Sequence, residues 1–136
     1  MYTPRLVRSF YNELLDQITY FMGDGETLSS TLDQVGRKLF PLKWKGIFSS
    51  DEKYPLIGYC IVNTDKKSQP GSHWLAVANG LVYDSFGRCG LLKNRNLECA
   101  GDGVAEQYVS EENCGQRCIA WLCVHQACGS KAADLL

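Results

Sequence analysis

The sequence predicts an α+β domain in which a small, mostly antiparallel β-sheet is flanked by helices. Three observations carry that expectation. Helical patterns come first, strand-like runs follow, and a last helix closes the order, whereas a doubly wound parallel sheet would alternate the two. Two strand-like runs, "HWLAVA" and "LVYDSF", flank Asn79-Gly80, a dipeptide suited to a two-residue type I′ turn because both central positions need positive φ. The segment from Asn113 to about Ala127 reads as a helix, with Gly129 as its C-terminal cap.

Each element can be justified in turn. In "RLVRSFYNELLDQITYFM", Leu6, Phe10, Leu14, Ile18 and Phe21 recur at helical spacing, and "GDG" ends the run. A second short helix is predicted in "SSTLDQVGRKLF", capped near Ser30, with Pro41 beyond its end. After a polar stretch, "PLIGYCIVNT" is apolar and rich in β-branched residues, as a buried strand requires. "DKKSQPGS" is a turn-rich loop leading into the hairpin, and from Gly87 to Glu106 the chain is loop-like, with room for one short strand or helix.

A chain of 136 residues fits one domain, here a helical N-terminal extension (1–45) and a core (55–127). At that size it buries enough surface to fold without a disulfide or a metal. A net charge of −1 gives no global case for binding nucleic acid or membrane. The local exception is "RKLFPLKWK", Arg37 to Lys45, which has four cations and no carboxylate. It is either a solvated basic face or an anion-binding patch. Seven cysteines cannot all pair within one chain, and neither a secretory signal nor a membrane span is visible. The expectation is a reducing compartment with the thiols free and no membrane partner.

The chemistry begins with the hairpin. If Asn79 and Gly80 form the turn, Ala78 faces Leu81 and Leu75 faces Asp84. His73 then shares a sheet face with Asp84 on the diagonal, within reach of an imidazole and a carboxylate. Such a pair suits base catalysis, because the carboxylate fixes the tautomer and stabilises the imidazolium. It also suits a plain structural hydrogen bond at a strand end.

Four of the seven cysteines fall in "EENCGQRCIAWLCVHQAC". Cys114 is set apart, because it lies at the start of the helix, where the dipole favours a thiolate, and Gly115 after it would admit a substrate backbone. Cys118 and Cys123 lie inside an apolar run, where free cysteine packs as a small hydrophobe. Cys114, Cys118, His125 and Cys128 are the donors a zinc reading would use. Strung along a single helix, they could not converge tetrahedrally on one ion. Acyl transfer also needs donors for a developing oxyanion. The Cys114 N–H and the side chain of Gln107, seven residues upstream, are the candidates.

Taken together, "YCIVNT", "GSHWLAVA", "YDSFGR" and Gln107 before "NCGQRC" resemble, in order, the adenovirus maturation protease (adenain) and its relatives. That superfamily also holds the SUMO-deconjugating cysteine proteases. The matching stretches span Pro55 to Val124, about half the chain. The resemblance implies the adenain/SUMO-protease-like fold, with His73 as general base, Asp84 as its orienting partner, Cys114 as nucleophile and Gln107 as oxyanion donor. Trp74 matches the tryptophan after the catalytic histidine, a cleft wall in one reading and a core aromatic in the other. Gly71 and Asn113 are grouped with it as substrate-binding positions.

The sequence also departs from the family's pattern. Asp84 stands where adenoviral enzymes carry Glu, although Asp is usual in the SUMO-protease branch. The chain ends 22 residues after Cys114, where adenoviral enzymes continue and bind much of their activating peptide. Peptide activation therefore does not transfer, and DNA stimulation rests only on the Arg37–Lys45 patch. The resemblance implies a monomeric viral thiol protease without a cofactor. It would mature virions by cleaving precursor polypeptides next to glycine, in the infected cell (cytoplasm or nucleus) and in the virion. The alternatives are a deconjugating isopeptidase for ubiquitin-like modifiers and a catalytically silent capsid-associated domain.

Overall fold

The computed structural model describes residues 2–64, 73–88, 92, 97–101, 105, 107 and 112–136. Two helices open the chain, α1 (Pro4–Met22) and α2 (Ser29–Leu39). Strands β1 (Trp44–Ser49), β2 (Tyr59–Asn63), β3 (Trp74–Ala78), β4 (Leu81–Tyr83) and β5 (Glu98–Cys99) follow, then α3 (Cys114–Cys128) and a single turn, α4 (Ser130–Ala133). This is an α+β arrangement around one five-stranded sheet of order β1-β2-β3-β4-β5. No helix among the described residues is long and apolar enough to cross a membrane.

The sheet is mixed, which corrects the expectation of a mostly antiparallel one. β2–β3 and β3–β4 are antiparallel, but β1–β2 and β4–β5 are parallel. The chain leaves β1 at Ser49 and travels back along the sheet through residues 50–58, so it enters β2 in the same direction. β1 itself lies where the sequence offers only a basic run and a polar connection. A register shift between Trp44 and Gly46, with Gly46 at φ 125°, breaks the alternation that would have announced a strand.

α1 starts where Thr3 Oγ1 accepts the Leu6 N–H at 3.2 Å and Pro4 occupies the first turn. Its buried face is Val7, Tyr11, Leu15 and Ile18, while Leu6 (59% exposed) and Phe21 (84% exposed) face outward. The apolar stripe read from the sequence is therefore rotated by about one residue, and only Ile18 belongs to both stripes. α2 has no side-chain cap, since its N-cap is Leu28 rather than a residue near Ser30.

α3 is the hub of the molecule. Eleven of its residues are buried, as expected of a helix apolar around most of its circumference. It packs with α1 against one sheet face, formed by Tyr59, Ile61, Ala76, Ala78 and Tyr83. The opposite face carries Cys60, Val62, Leu75 and Val77, covered by Leu92 and the flanking Phe48, Tyr54 and Leu97. Alternation thus sends the side chains of β2 into two separate cores.

Candidate active site

The hairpin forms in the expected register. Asn79 (φ 50°) and Gly80 (φ 84°) make the turn, and Ala78 pairs with Leu81 and Ala76 with Tyr83. His73 stands at the entry to β3, where its carbonyl accepts the Thr64 N–H at 3.0 Å. Asp84 follows β4. The two side chains meet on one face, His73 Nε2 lying 2.8 Å from Asp84 Oδ1.

Asp84 is held in its ionised form. Burial opposes ionisation, but hydrogen bonds from His73 and the Phe86 N–H, with the nearby charge of Arg88, together lower its pKa. An ionised carboxylate only accepts, so the proton on Nε2 belongs to the imidazole. The thiol of Cys114 is the second group that acts on the His73 imidazole, close enough to raise its pKa. Cys114 is the first residue of α3 and is nearly buried. The three residues that the sequence marked from separate segments therefore converge.

Gln107 is also buried, and it docks on Ser85, the residue after Asp84. Its N–H donates to the Ser85 carbonyl at 3.0 Å, and its Oε1 accepts from Ser85 Oγ at 2.5 Å. Of the other expected site positions, Trp74 is half-buried. It packs against the main core and also lines a cleft. Asn113 Oδ1 accepts from Arg117 Nε at 3.1 Å, which turns it toward the interior. Gly71 lies outside the described residues.

The sequence reading missed the work of the turn after β4. Gly87 (φ 70°) donates its N–H to the Asp84 carbonyl at 2.8 Å, closing a turn over Asp84 to Gly87. Within it the Phe86 N–H bonds Asp84 Oδ1 at 2.9 Å, and the Phe86 ring lies 4.7 Å from the imidazole of His73, centroid to centroid. Arg88 donates Nε to Asp84 Oδ2 at 3.0 Å and sits 5.0 Å from the Phe86 ring. The motif "YDSFGR" was the available signal, but only its aspartate declares its chemistry by residue type.

The cleft, about 760 Å³, runs along edge strand β1. Its lining includes Thr27, Leu28, Phe48, Asn63 and Trp74. Trp74 directly follows His73. Thr27, also in the lining, packs against Gly115, the residue after Cys114, where an added Cβ would sit 3.1 Å from Leu32 and 3.4 Å from Thr27. His73 and Cys114 are themselves not among the residues that line the cleft. Gln116 Nε2 donates to the carbonyls of Gly23 and Gly25 at 2.7 and 2.8 Å, tying the α1–α2 connection over the start of α3.

The other cysteines divide by environment. Burial pushes the thiol of Cys60 up to about 12, that of Cys123 up to about 11 and that of Cys118 well above its usual range, so these stay protonated. Cys99 is in a disulfide, which corrects the expectation that every thiol is free. An odd cysteine count forbids complete pairing but not a single bridge. The donors of the zinc alternative point to different partners, Cys114 to His73 and His125 to Tyr59 at 2.6 Å. The basic run also disperses: Arg37 pairs with Asp33 at 2.7 Å, Lys43 lies over the Tyr59 ring and Lys45 lines the cleft.

The chain's two histidines shift in opposite directions. Burial works against the charged form of His73, but Asp84 and Cys114 outweigh it and raise its pKa above 6.5. Burial, reinforced by Lys43, lowers His125 below 6.5. A raised histidine contributes stability that is complete below 6.5 and is lost as pH rises through its folded value. A lowered one contributes stability that is complete above 6.5 and is lost as pH falls through its folded value. Urea unfolding midpoints between about pH 5 and 8 are therefore expected to lose their alkaline decline in His73→Gln and their acidic decline in His125→Gln. The same change of profile in both variants would contradict this assignment.

No protein-family model matches the chain, and no curated protein matches it.

Proposed function

We propose that this protein is a cysteine endopeptidase of the adenain type that cleaves viral precursor polypeptides next to glycine during virion maturation. The observation that carries the reading is the meeting of His73 with both Asp84 and Cys114 at the buried start of α3. His73, holding its Nε2 proton on Asp84, takes the Cys114 proton at Nδ1. The freed thiolate adds to the scissile carbonyl, forming the C–S bond and placing the electron pair on oxygen. Gln107 and the Cys114 N–H stabilise that oxyanion. Collapse expels the amine, which leaves with the proton from His73. Water, deprotonated by His73, then releases the acid and restores the thiol.

The cleft along β1 would take an extended polypeptide, and its lining residue Trp74 directly follows His73 in the chain. The reading is tested by limiting iodoacetamide at neutral pH together with a panel of peptides containing glycine. Cys114 is expected to be alkylated first, with that preference lost in His73→Ala, and the parent to cut beside glycine. Uniform labelling of all accessible thiols with no peptide cut would end the proposal. Cleavage of ubiquitin-like fusions in preference to the peptides would instead move the activity to the deconjugases.

A further inference from the structure

We infer that Arg88 is a positioning residue for His73. By binding the second oxygen of Asp84 it closes a ring of four side chains that keeps the imidazole aimed at the thiol of Cys114. This rests on the protease reading of the Cys114 site. The outermost torsions of histidine and aspartate are soft, with broad, roughly two-fold wells. A base that takes a proton from one neighbour while bonded to another needs both rotations stopped.

The ring runs from Asp84 to His73, Phe86, Arg88 and back. His73 Nε2 bonds Asp84 Oδ1 at 2.8 Å, and the Phe86 ring lies 4.7 Å from the imidazole, tilted by 32°. The Arg88 guanidinium covers the Phe86 ring at 5.0 Å, and its Nε donates to Asp84 Oδ2 at 3.0 Å. The two oxygens of Asp84 are held differently. Oδ1 accepts from the Phe86 N–H as well as from His73, whereas among the described residues Oδ2 accepts from Arg88. The Asp84 side chain is only 2% exposed, so water is a poor substitute for that donor. Without it the carboxylate gains by turning or by taking a proton, and either loosens its hold on Nε2. Arg88 itself is 48% exposed, so the fold gains little from the pair. Its loss belongs in the kinetics.

The test compares the parent with Arg88→Ala, Arg88→Gln and Arg88→Lys on a fluorogenic peptide anilide carrying glycine before the scissile bond. Glutamine places an amide nitrogen on Cδ, where arginine has Nε, so it keeps the donor and loses the charge. Lysine keeps the charge and puts carbon at that place. Arg88→Ala is expected to lower kcat about 10-fold, the low end for a hydrogen bond to a charged group, because the pair is half-exposed. KM should stay within about twofold, and the thermal midpoint within about 2 °C. Alkylation of Cys114 by iodoacetamide should slow in step with kcat, since the thiolate depends on the aim of His73. Arg88→Gln should recover most of the rate and Arg88→Lys little. The charged and titratable groups facing Asp84 are His73 at the entry to β3, Arg88 on its own turn and Cys118 of α3, which stays protonated. Arg88 helps to keep Asp84 ionised. The acid limb of kcat/KM should therefore move to higher pH in Arg88→Ala and Arg88→Gln and stay in place in Arg88→Lys.

The inference is overturned by parental kcat in Arg88→Ala, by rescue in Arg88→Lys but not in Arg88→Gln, or by a thermal midpoint that falls by many degrees together with kcat. The second result would leave Arg88 a role through charge alone, and the third a structural one. A parent that leaves the anilide intact removes the protease reading itself, and is distinguishable from these outcomes because it precedes any variant.

Discussion

Cys114→Ala is expected to reduce peptide hydrolysis to the buffer background, a loss of about six orders of magnitude in kcat if the enzyme behaves like other hydrolases deprived of their nucleophile. The fold should tolerate the change. The substitution removes one sulfur atom from the first turn of α3, where alanine is a good helix former. The thermal midpoint should therefore stay within about 2 °C of the parent, the range of a substitution that breaks no packing or hydrogen-bond network. Rates on a glycine-containing peptide, with near-ultraviolet circular dichroism as the check on tertiary structure, decide the matter. Turnover comparable to the parent would sink the nucleophile assignment, and lost dichroism would mean that the residue is structural.

Trp121→Ala should have the largest effect on stability. Trp121 is fully buried at the centre of α3 and stacks on Tyr83 at 5.3 Å, with the rings 6° from parallel. Its Nε1 donates to the Ala133 carbonyl at 3.0 Å, joining α3 to α4. Truncation removes the indole's apolar surface, leaves a cavity and takes from that carbonyl one of its two donors, the other being the Leu136 N–H at 3.2 Å. Substitutions of this kind cost about 3–5 kcal/mol, a large part of the roughly 5–15 kcal/mol that holds a domain together. The expected result is a urea midpoint lowered in proportion and a thermal midpoint reduced by roughly 10 °C or more. Trp121→Phe, which keeps the stack and loses only the hydrogen bond, should fall in between. A loss below about 1 kcal/mol in Trp121→Ala would contradict the central place given to α3.

What the sequence revealed, and what it hid, follows from the range of the forces involved. The hairpin was legible because Asn79-Gly80 encodes its own backbone angles, and the register then places His73 beside Asp84. The extent of α3 was legible from its apolar run and from Gly129. The face of α1 was not, since Leu6-Phe10-Leu14 and Val7-Tyr11-Leu15 are adjacent stripes of similar apolarity. The choice is made elsewhere, by contacts with α3 and by a 2.7 Å bond between the hydroxyls of Tyr11 and Tyr83, which no local pattern reports. The parallel pairing of β1 was hidden by its bulge at Gly46. In the candidate site, His73, Asp84 and Cys114 stood out by residue type. Ser85, Phe86 and Arg88 did not, because their tasks depend on side-chain directions within one turn. The disulfide at Cys99 was masked by a parity argument that says nothing about single bridges.

The packing of α1 on α3 also bears on how the molecule is assembled. Arg117 reaches Tyr11 across 106 positions, and Gln116 reaches Gly23 and Gly25 across 93 and 91. Contacts so distant along the chain demand that a large loop close before they repay its entropy, and folding rates fall accordingly. During synthesis the stripe Val7-Tyr11-Leu15-Ile18 emerges long before the helix that covers it. It must wait, exposed, until α3 has left the ribosome. A chain interrupted before residue 114 therefore carries the imidazole and its carboxylate, but neither the thiol of Cys114 nor the helix that covers the face of α1.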